Sequence, residues 1–367
     1  MAITLFVLFL IFTLINILFY IGYFSFALAR PQGGPSTTLP VSVIICAKNE
    51  ADNLRILVPK ILEQDYLNFE LILINDASTD DTLDVIEEFT ISDSRVKMVN
   101  VQNNEAFWGK KKYALTLGIK KAKHPYLLFT DADCLPETDQ WISSMASHFS
   151  ESNSIILGYG GYLKKKRSFL NKLIRYETLF TALQYFSYAR WGSPYMGVGR
   201  NLAYTSTEFY NQNGFATHLH VKSGDDDLFV NQAATGENTA LCFNSASITR
   251  SIPETTFGTW LTQKRRHVST ATLYKKEHKL LLGTFYFSQL AFWVLAILLL
   301  ALGINWEIVT AFILLRIILQ YVVFWKAATK LGEKDIIWLI PFLDIFLVFL
   351  QLGIFSTNLF SKPANWK

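Results

Sequence analysis

The sequence predicts an α/β domain built on a parallel sheet and set between membrane-spanning helices, and two observations carry that expectation. Apolar residues make up 51% of the 367-residue chain and charged residues only 17%, where soluble domains carry about a quarter charged. The surplus is concentrated at the two ends. Between them, runs of apolar and β-branched residues alternate at short spacing with segments of helical periodicity. That is the pattern of βαβ units whose sheet is covered on both faces.

The first apolar run covers about residues 3–29 without a charge and is long enough to span a bilayer. A signal peptide is the alternative, with Ala27-Leu28-Ala29 as its cleavage site. The chain lacks a basic segment before the run, however, and the run exceeds the usual length of such an apolar region. Residues 1–30 therefore read as an uncleaved anchor. Three further runs, at about 280–303, 308–329 and 336–358, make residues 271–367 a C-terminal membrane domain. No Lys or Arg precedes the first run, and Arg30 follows it. The connection from Gly303 to Glu307 carries none, and the next carries Lys326, Lys330 and Lys334. Counted over four crossings, the positive-inside rule expects the middle domain in the cytosol and both termini outside, with Lys362 and Lys367 weakly opposed.

The three cysteines, Cys46, Cys134 and Cys242, show neither CxxC nor metal-ligand spacing, which favours structural thiols in a reducing compartment. The net charge of +4 suits a neighbour of anionic headgroups and is too small to argue for nucleic acid. A bacterial plasma membrane is the expected location.

Along the middle segment, Pro31 to Ser36 reads as a linker and Val41 to Ile45 as a buried strand. A helix is expected from about Glu50 to Gln64, with Leu54, Leu57, Ile61 and Leu62 on one face. Strands follow at Glu70 to Ile74, Val96 to Val101 and Tyr126 to Thr130. The helices between them open at Asp80-Asp81 and at Lys111, the latter running to Ala122. Ligands of open α/β sheets sit at the carboxyl ends of the strands. That is where Asp76, Asp131 and Asp133 fall.

Four constellations carry candidate chemistry. Asp131 and Asp133, two residues apart past a buried strand, can converge on a hard divalent cation such as Mg²⁺ or Mn²⁺. Asn75 to Asp80 reads as a turn and helix cap, or, through Asp76, as an acceptor for a nucleotide base or ribose. Asp225, Asp226 and Asp227 repel one another, so one should be hard to ionise unless a cation is near, an environment suited to a general base. Gln263 to His267 is basic enough to clamp a diphosphate, or simply to face lipid headgroups. Lys275, Lys276 and Lys279 belong to the second description.

Taken in order, these residues resemble the inverting GT-A glycosyltransferases of family 2, including ceramide glucosyltransferase-like and polysaccharide synthase-like members. The landmarks are Pro40 to Ile45 with Ala47-Lys48-Asn49-Glu50, Asn75 to Asp80, and Gly109-Lys110-Lys111 before Ala114-Leu115. Asp131 with Asp133, Gly199 to Tyr204 with Gly214-Phe215, and the Gly224-Asp225-Asp226 cluster complete the set. The resemblance covers about residues 38–270 and implies a GT-A domain there. It implies that Ala47, Glu50, Asp76 and Lys111 bind the nucleotide-sugar, and that Asp131 and Asp133 position its diphosphate with Asp133 on the metal. It makes Asp225 the base, with Asp226 as the rival. It matches Gln263 and Arg266 to the family's Gln-x-x-Arg-Trp motif, with His267 in place of Trp, which weakens the case for processive polymerisation.

The implied reaction is a single displacement. An acceptor hydroxyl, deprotonated by Asp225, attacks the anomeric carbon, while the metal and Arg265 or Arg266 neutralise the departing diphosphate. The acceptor expected is a lipid or lipid-linked glycan. The alternatives are a synthase extending a surface polysaccharide and a non-catalytic nucleotide-sugar-binding regulator of a membrane complex. A dinucleotide oxidoreductase is disfavoured because no GxGxxG follows the first strand. Trp108, Trp191 and Tyr195 are expected in the core, and His218 with His220 in a mobile loop over the site. Arg316 and Asp344, costly within apolar runs, are expected to pair between spans.

Overall fold

The run Val41–Ala47 becomes the central strand, β1, because a backbone flanked on both edges and buried on both faces requires an uninterrupted apolar sequence. The structure is a computed structural model that describes residues 1–31, 33, 34, 36–102, 110–221 and 223–361. Gln32 and Pro35 of the expected linker, Trp108, Gly109, Lys362 and Lys367 lie outside the described residues. Contacts divide the chain into two compact units. One comprises Pro31–Arg167 and Trp191–Glu254. The other comprises Met1–Arg30, Ser168–Arg190 and, among the described residues, 255–361.

Among the described residues the first unit holds ten strands. After β1 come β2 (Phe69–Asp76), β3 (Val96–Val101), β4 (Tyr126–Asp131), β5 (Cys134–Pro136), β6 (Ile155–Leu157), β7 (Gly160–Tyr162), β8 (Leu202–Thr205), β9 (Thr239–Leu241) and β10 (Thr249–Ser251). Seven of them form one sheet in the order β3-β2-β1-β4-β8-β6-β9, and β5-β10-β7 form a second. The expected parallel sheet is present across β3, β2, β1 and β4. Beyond β4 the sheet turns antiparallel through β8 and β6, so the whole is mixed. The register sets Ile44 beside both Ile72 and Phe129, and Cys46 beside Asp131. The carboxyl ends of β1, β2 and β4 therefore finish side by side, which brings Ala47, Asp76 and Asp131 to one edge.

Helices cover the sheet where their apolar stripe allows. Ala51–Leu62 buries Leu54, Leu57, Val58 and Ile61 in a core with Val43, Ile45, Leu71 and Leu73. Each such side chain contributes roughly 1.5–3 kcal/mol on full burial. The Lys110–Lys121 helix comes unusually close to the strands at Gly118, where an added Cβ would lie 2.3 Å from Ile74 Cδ1. That approach fixes the height at which the helix delivers Lys111. Asn201 joins the two halves of the unit. It accepts from Trp141 Nε1 at 3.0 Å and donates to the carbonyls of Tyr159 (3.0 Å) and Ser247 (2.6 Å).

The second unit contains four helices long and apolar enough to cross a membrane: Ala2–Ala27, Lys276–Ala301, Trp306–Lys330 and Lys334–Phe360. It also contains two helices, Phe169–Arg190 and Phe257–Thr270, from the segment read in the sequence as part of the 38–270 domain. Contacts group both with the apolar helices. The reason is legible at Arg175, whose guanidinium donates to Glu333 at 2.7 Å and to both oxygens of Asp335 at 2.7 and 2.6 Å. Glu333 is fully buried, so this fork replaces its water.

The pairing expected of Arg316 and Asp344 is present at 2.9 Å, with both side chains wholly buried. Asn16 accepts from Arg316 Nε at 2.8 Å, and Asp344 accepts from Gln289 (2.7 Å), Tyr176 (3.1 Å) and Trp293 (3.3 Å). The pair thus ties the four apolar helices and Phe169–Arg190 through one network. Lys330 closes the end of the first helix by donating to the carbonyls of Phe26 and Ala27 at 2.8 and 2.6 Å. Asp344→Asn alone should leave a buried guanidinium uncompensated and cost about 3–5 kcal/mol. The double change Arg316→Met, Asp344→Leu should recover most of it. Melting in detergent checks this, and equal loss in single and double variants would contradict it.

Candidate active site

Lys111 lies in the first turn of the Lys110–Lys121 helix, and its ammonium spans two carboxylates that the chain brings from far apart. Asp131, the last residue of β4, accepts at 2.9 Å, and Asp225, in the turn before the Asp227–Ala233 helix, lies at 3.1 Å. Burial disfavours the ammonium, yet Asp131 and Asp225 outweigh it and hold Lys111 well above the usual lysine range. A cavity opens at this point, lined among others by Cys46, Thr130, Gly199 and Tyr204.

The acidic triplet divides its labour. Burial pushes the Asp225 carboxyl up, but the Lys111 charge and hydrogen bond pull it below the usual carboxylate range. Asp226 is pushed up to about 7 by burial, by Asp225 and by Asp227. Its oxygens accept from the Gly199 N–H at 2.7 Å and the Asp227 N–H at 2.8 Å, so it caps the helix and ties its own turn to the turn that leads into β8. Adjacent carboxyls driven apart in this way are the arrangement from which acid and base roles are read.

Asp133 follows β4 by two residues, and one ligand atom each from Asp131, Asp133 and Cys134 lies within 4.8 Å of the others. Burial and the neighbouring Asp131 raise Asp133 to about 6. Two converging carboxylate donors fit a hard divalent cation. Cys134 opens β5, and its thiol is engaged by Ser251 Oγ at 2.7 Å. Arg200, quoted in the sequence only as a landmark, stands beside this pair. Its guanidinium lies 4.3 Å over the Tyr162 ring and donates to the Gly161 carbonyl at 3.0 Å. The sequence signal was an Arg-Asn pair between Gly199 and the apolar run that begins at Leu202.

Ala47, Glu50 and Asp76 gather at the ends of β1 and β2. Two loops are knitted there by Asn49 and Ala77, both at positive φ (57° and 52°). Asn49 Oδ1 accepts from the Thr79 N–H at 2.8 Å, and Thr82 Oγ1 accepts from the Glu50 N–H at 2.8 Å. Asp80 accepts from Thr82 and from the Ala51 N–H at 3.4 Å, so it serves the neighbouring helix as well as its own turn. Within Asn75–Asp80, then, Asn75 and Asp80 are occupied structurally, and Asp76 is the buried carboxylate at the strand end. Burial raises Glu50, against an Asn53 hydrogen bond of 2.5 Å.

Gln263, Arg265 and Arg266 lie on the Phe257–Thr270 helix, in the unit of apolar helices. Arg265 donates to Asn358 Oδ1 at 2.9 Å and to the Ser361 carbonyl and hydroxyl at 2.8 and 2.7 Å. Lys264 pairs with Glu177. The buried Gln263 Oε1 has no hydrogen-bond partner among the described residues. Two other expectations are corrected. Trp191 follows a helix end and is 37% exposed rather than in the core, whereas Tyr195 is buried. His218 is buried in a short turn, Ala216–His218, with its ring against Phe215.

Residues 42–209 match the family model described as glycosyl transferase family 2. Among curated proteins, the UDP-Glc:alpha-D-GlcNAc-diphosphoundecaprenol beta-1,3-glucosyltransferase WfaP of Escherichia coli is 35% identical over 129 residues, which is 34% of this chain and 47% of that protein. An uncharacterized glycosyltransferase of Haemophilus influenzae is 34% identical over 124 residues, 34% of this chain and 36% of that protein. The matched segment thus spans less than half the length of either relative. Among solved structures, the mannosyltransferase PcManGT of Pyrobaculum calidifontis, in complex with GDP-Man and Mn²⁺, superposes with a TM-score of 0.60 at 17% identity. The superposition covers 90% of this chain and 98% of that one, and it establishes the GT-A fold.

Protons and metal should compete at Asp133. Mn²⁺ affinity, measured by calorimetry, should be constant above pH 6 and fall by up to about tenfold per unit below it. Asp133→Asn should abolish binding.

Proposed function

Because residues 42–209 form a family 2 glycosyltransferase domain, we propose that the chain transfers a sugar from a nucleotide-diphosphate sugar to a lipid or polyprenyl-linked acceptor, with inversion at the anomeric carbon. The observation that carries this reading is the Lys111 bridge. It joins Asp131 of the candidate metal pair to the candidate base Asp225, and both carboxylates line one cavity. The acceptor class is supported by the four apolar helices and by the name of the E. coli relative, which acts on a diphosphoundecaprenol-linked sugar. We place the reaction at the cytosolic face of a bacterial plasma membrane on the distribution of basic residues.

In this reading Asp76, Glu50 and the Ala47 backbone bind the nucleotide, and Asp131 and Asp133 hold Mg²⁺ or Mn²⁺. When bound, that cation supplies positive charge against the diphosphate. Asp225, kept ionised by Lys111, takes the proton from the acceptor hydroxyl as its oxygen attacks the anomeric carbon and the nucleoside diphosphate leaves. Asp226 has the opposite assignment. Its carboxyl, up near 7 and bonded to Gly199, holds the turn. A role for Arg265, Arg266 and Gln263 toward the diphosphate rests on the sequence motif.

The test is hydrolysis of a panel of nucleotide-sugars by purified protein with Mg²⁺ or Mn²⁺ and a lipid extract. Metal-dependent release of nucleoside diphosphate, stimulated by lipid, is expected. Asp225→Asn should lower it by about 10²–10⁴-fold while sparing donor binding. Tight binding without turnover under any lipid would favour the regulatory binder instead.

Lys111 gives a separate pH prediction. Asp225 loses its base function only as pH falls through its depressed pKa. Without the ammonium, burial dominates and the carboxyl protonates sooner. The acid limb of the residual kcat/KM in Lys111→Met should therefore move to higher pH, and an unmoved limb would remove Asp225 from the role.

A further inference from the structure

Lys111 and Lys112 are adjacent in sequence, but helix phase turns their side chains to different neighbours. Lys112 is 1% exposed. Its ammonium donates to the carbonyl of His218 at 2.7 Å and to the carbonyl of Val221 at 3.0 Å, and it touches no carboxylate among the described residues. A lysine buried on two carbonyls is costly unless the bonds are needed. Burial pulls its ammonium down to about 8, against the charges of Asp225, Asp227 and Asp226. Burial, and then the Lys112 charge, bring the His218 ring down to about 4.

One carbonyl ends the Ala216–His218 turn and the other belongs to Val221. Gly224, at φ 90°, precedes the acidic triplet, and a Cβ there would meet Leu228 at 2.5 Å. Downstream, Asp226 is fastened to Gly199. Asp225 thus sits between two fastenings, one from the Lys110–Lys121 helix and one from the strand approach.

We propose that Lys112 is a positioning residue for the transfer reaction. It bolts the His218–Val221 segment to the helix that also carries Lys111, so that the base and its counter-ion arrive in register. Lys112 itself touches neither donor nor acceptor. The inference rests on the reading of Asp225 as the base. It separates two functions within the site, because the nucleotide-binding edge at β1 and β2 is built without this bolt.

The experiment uses the full chain in detergent, with donor KM and kcat from nucleoside diphosphate release and donor binding by calorimetry. Lys112→Met should lower kcat by about 10–100-fold, the scale of a misplaced catalytic group, while KM and donor affinity stay within about twofold. Lys112→Arg keeps a charged donor and should restore part of kcat. If the Met variant yields no folded protein, Lys112→Gln is judged by the same split. Undiminished kcat in an active parent background overturns the positioning role alone. So does a parallel loss of kcat and donor binding that Arg does not rescue, since that is the signature of a purely structural lysine. A parent protein that turns over no nucleotide-sugar overturns the transferase reading, and this inference with it.

Discussion

A single ammonium held between two carboxylates organises the site. Asp131 arrives on β4 and Asp225 on a turn almost a hundred residues later, and without a cation between them their charges would drive the two elements apart. Lys111 supplies that cation from a third element. Its reach depends on the helix lying tightly against β1 and β2, which the bare Gly118 permits. The same contact fixes the ionisation of Asp225, so fold and reactivity share one interaction. Where Lys111 pulls one acid down, its neighbour Asp226 is left with burial and repulsion and becomes the scaffold's acid instead.

The parallel half of the sheet was readable because β1, β2 and β4 each carry an apolar run with polar residues at its carboxyl end. Val96–Val101 matches its expected bounds, and Tyr126–Asp131 extends its expected run by one residue. The carboxylates that matter stand at those ends, which is where open α/β sheets place their ligands. The antiparallel half was not readable. Strands of three residues such as Ile155–Leu157 and Thr249–Ser251 carry too few positions for a period to register, and their pairing is decided by tertiary partners. The Phe169–Arg190 helix was missed for a related reason. Its affiliation is set by where Arg175 and Tyr176 find acids, which no local pattern reveals.

Within the site, residue type alone could not apportion roles. Asp80, expected at a turn and helix opening, accepts there from Thr82 and also from the Ala51 N–H of the neighbouring helix, which no local pattern announced. Lys111 and Lys112 look equivalent in the sequence, and one helical step sends one to the acids and the other to carbonyls. Arg200 gave only a faint signal, since burial of a guanidinium over Tyr162 is a property of the folded chain.

The affiliation of Phe169–Arg190 has a consequence for how this chain can be cut. Its apolar faces and its Arg175 guanidinium are satisfied by residues that come after Thr255 and before Arg30. A soluble fragment bounded at about residues 38 and 270 would retain that helix and discard the four apolar helices packed with it. The exposed surface would then include Leu173, Tyr176, Leu179 and Leu183 beside an orphaned charge. The helix interrupts the α/β unit midway, so it cannot be trimmed from an end. Its removal calls for an internal splice joining Arg167 to Trp191, and the two units are inseparable by simple truncation.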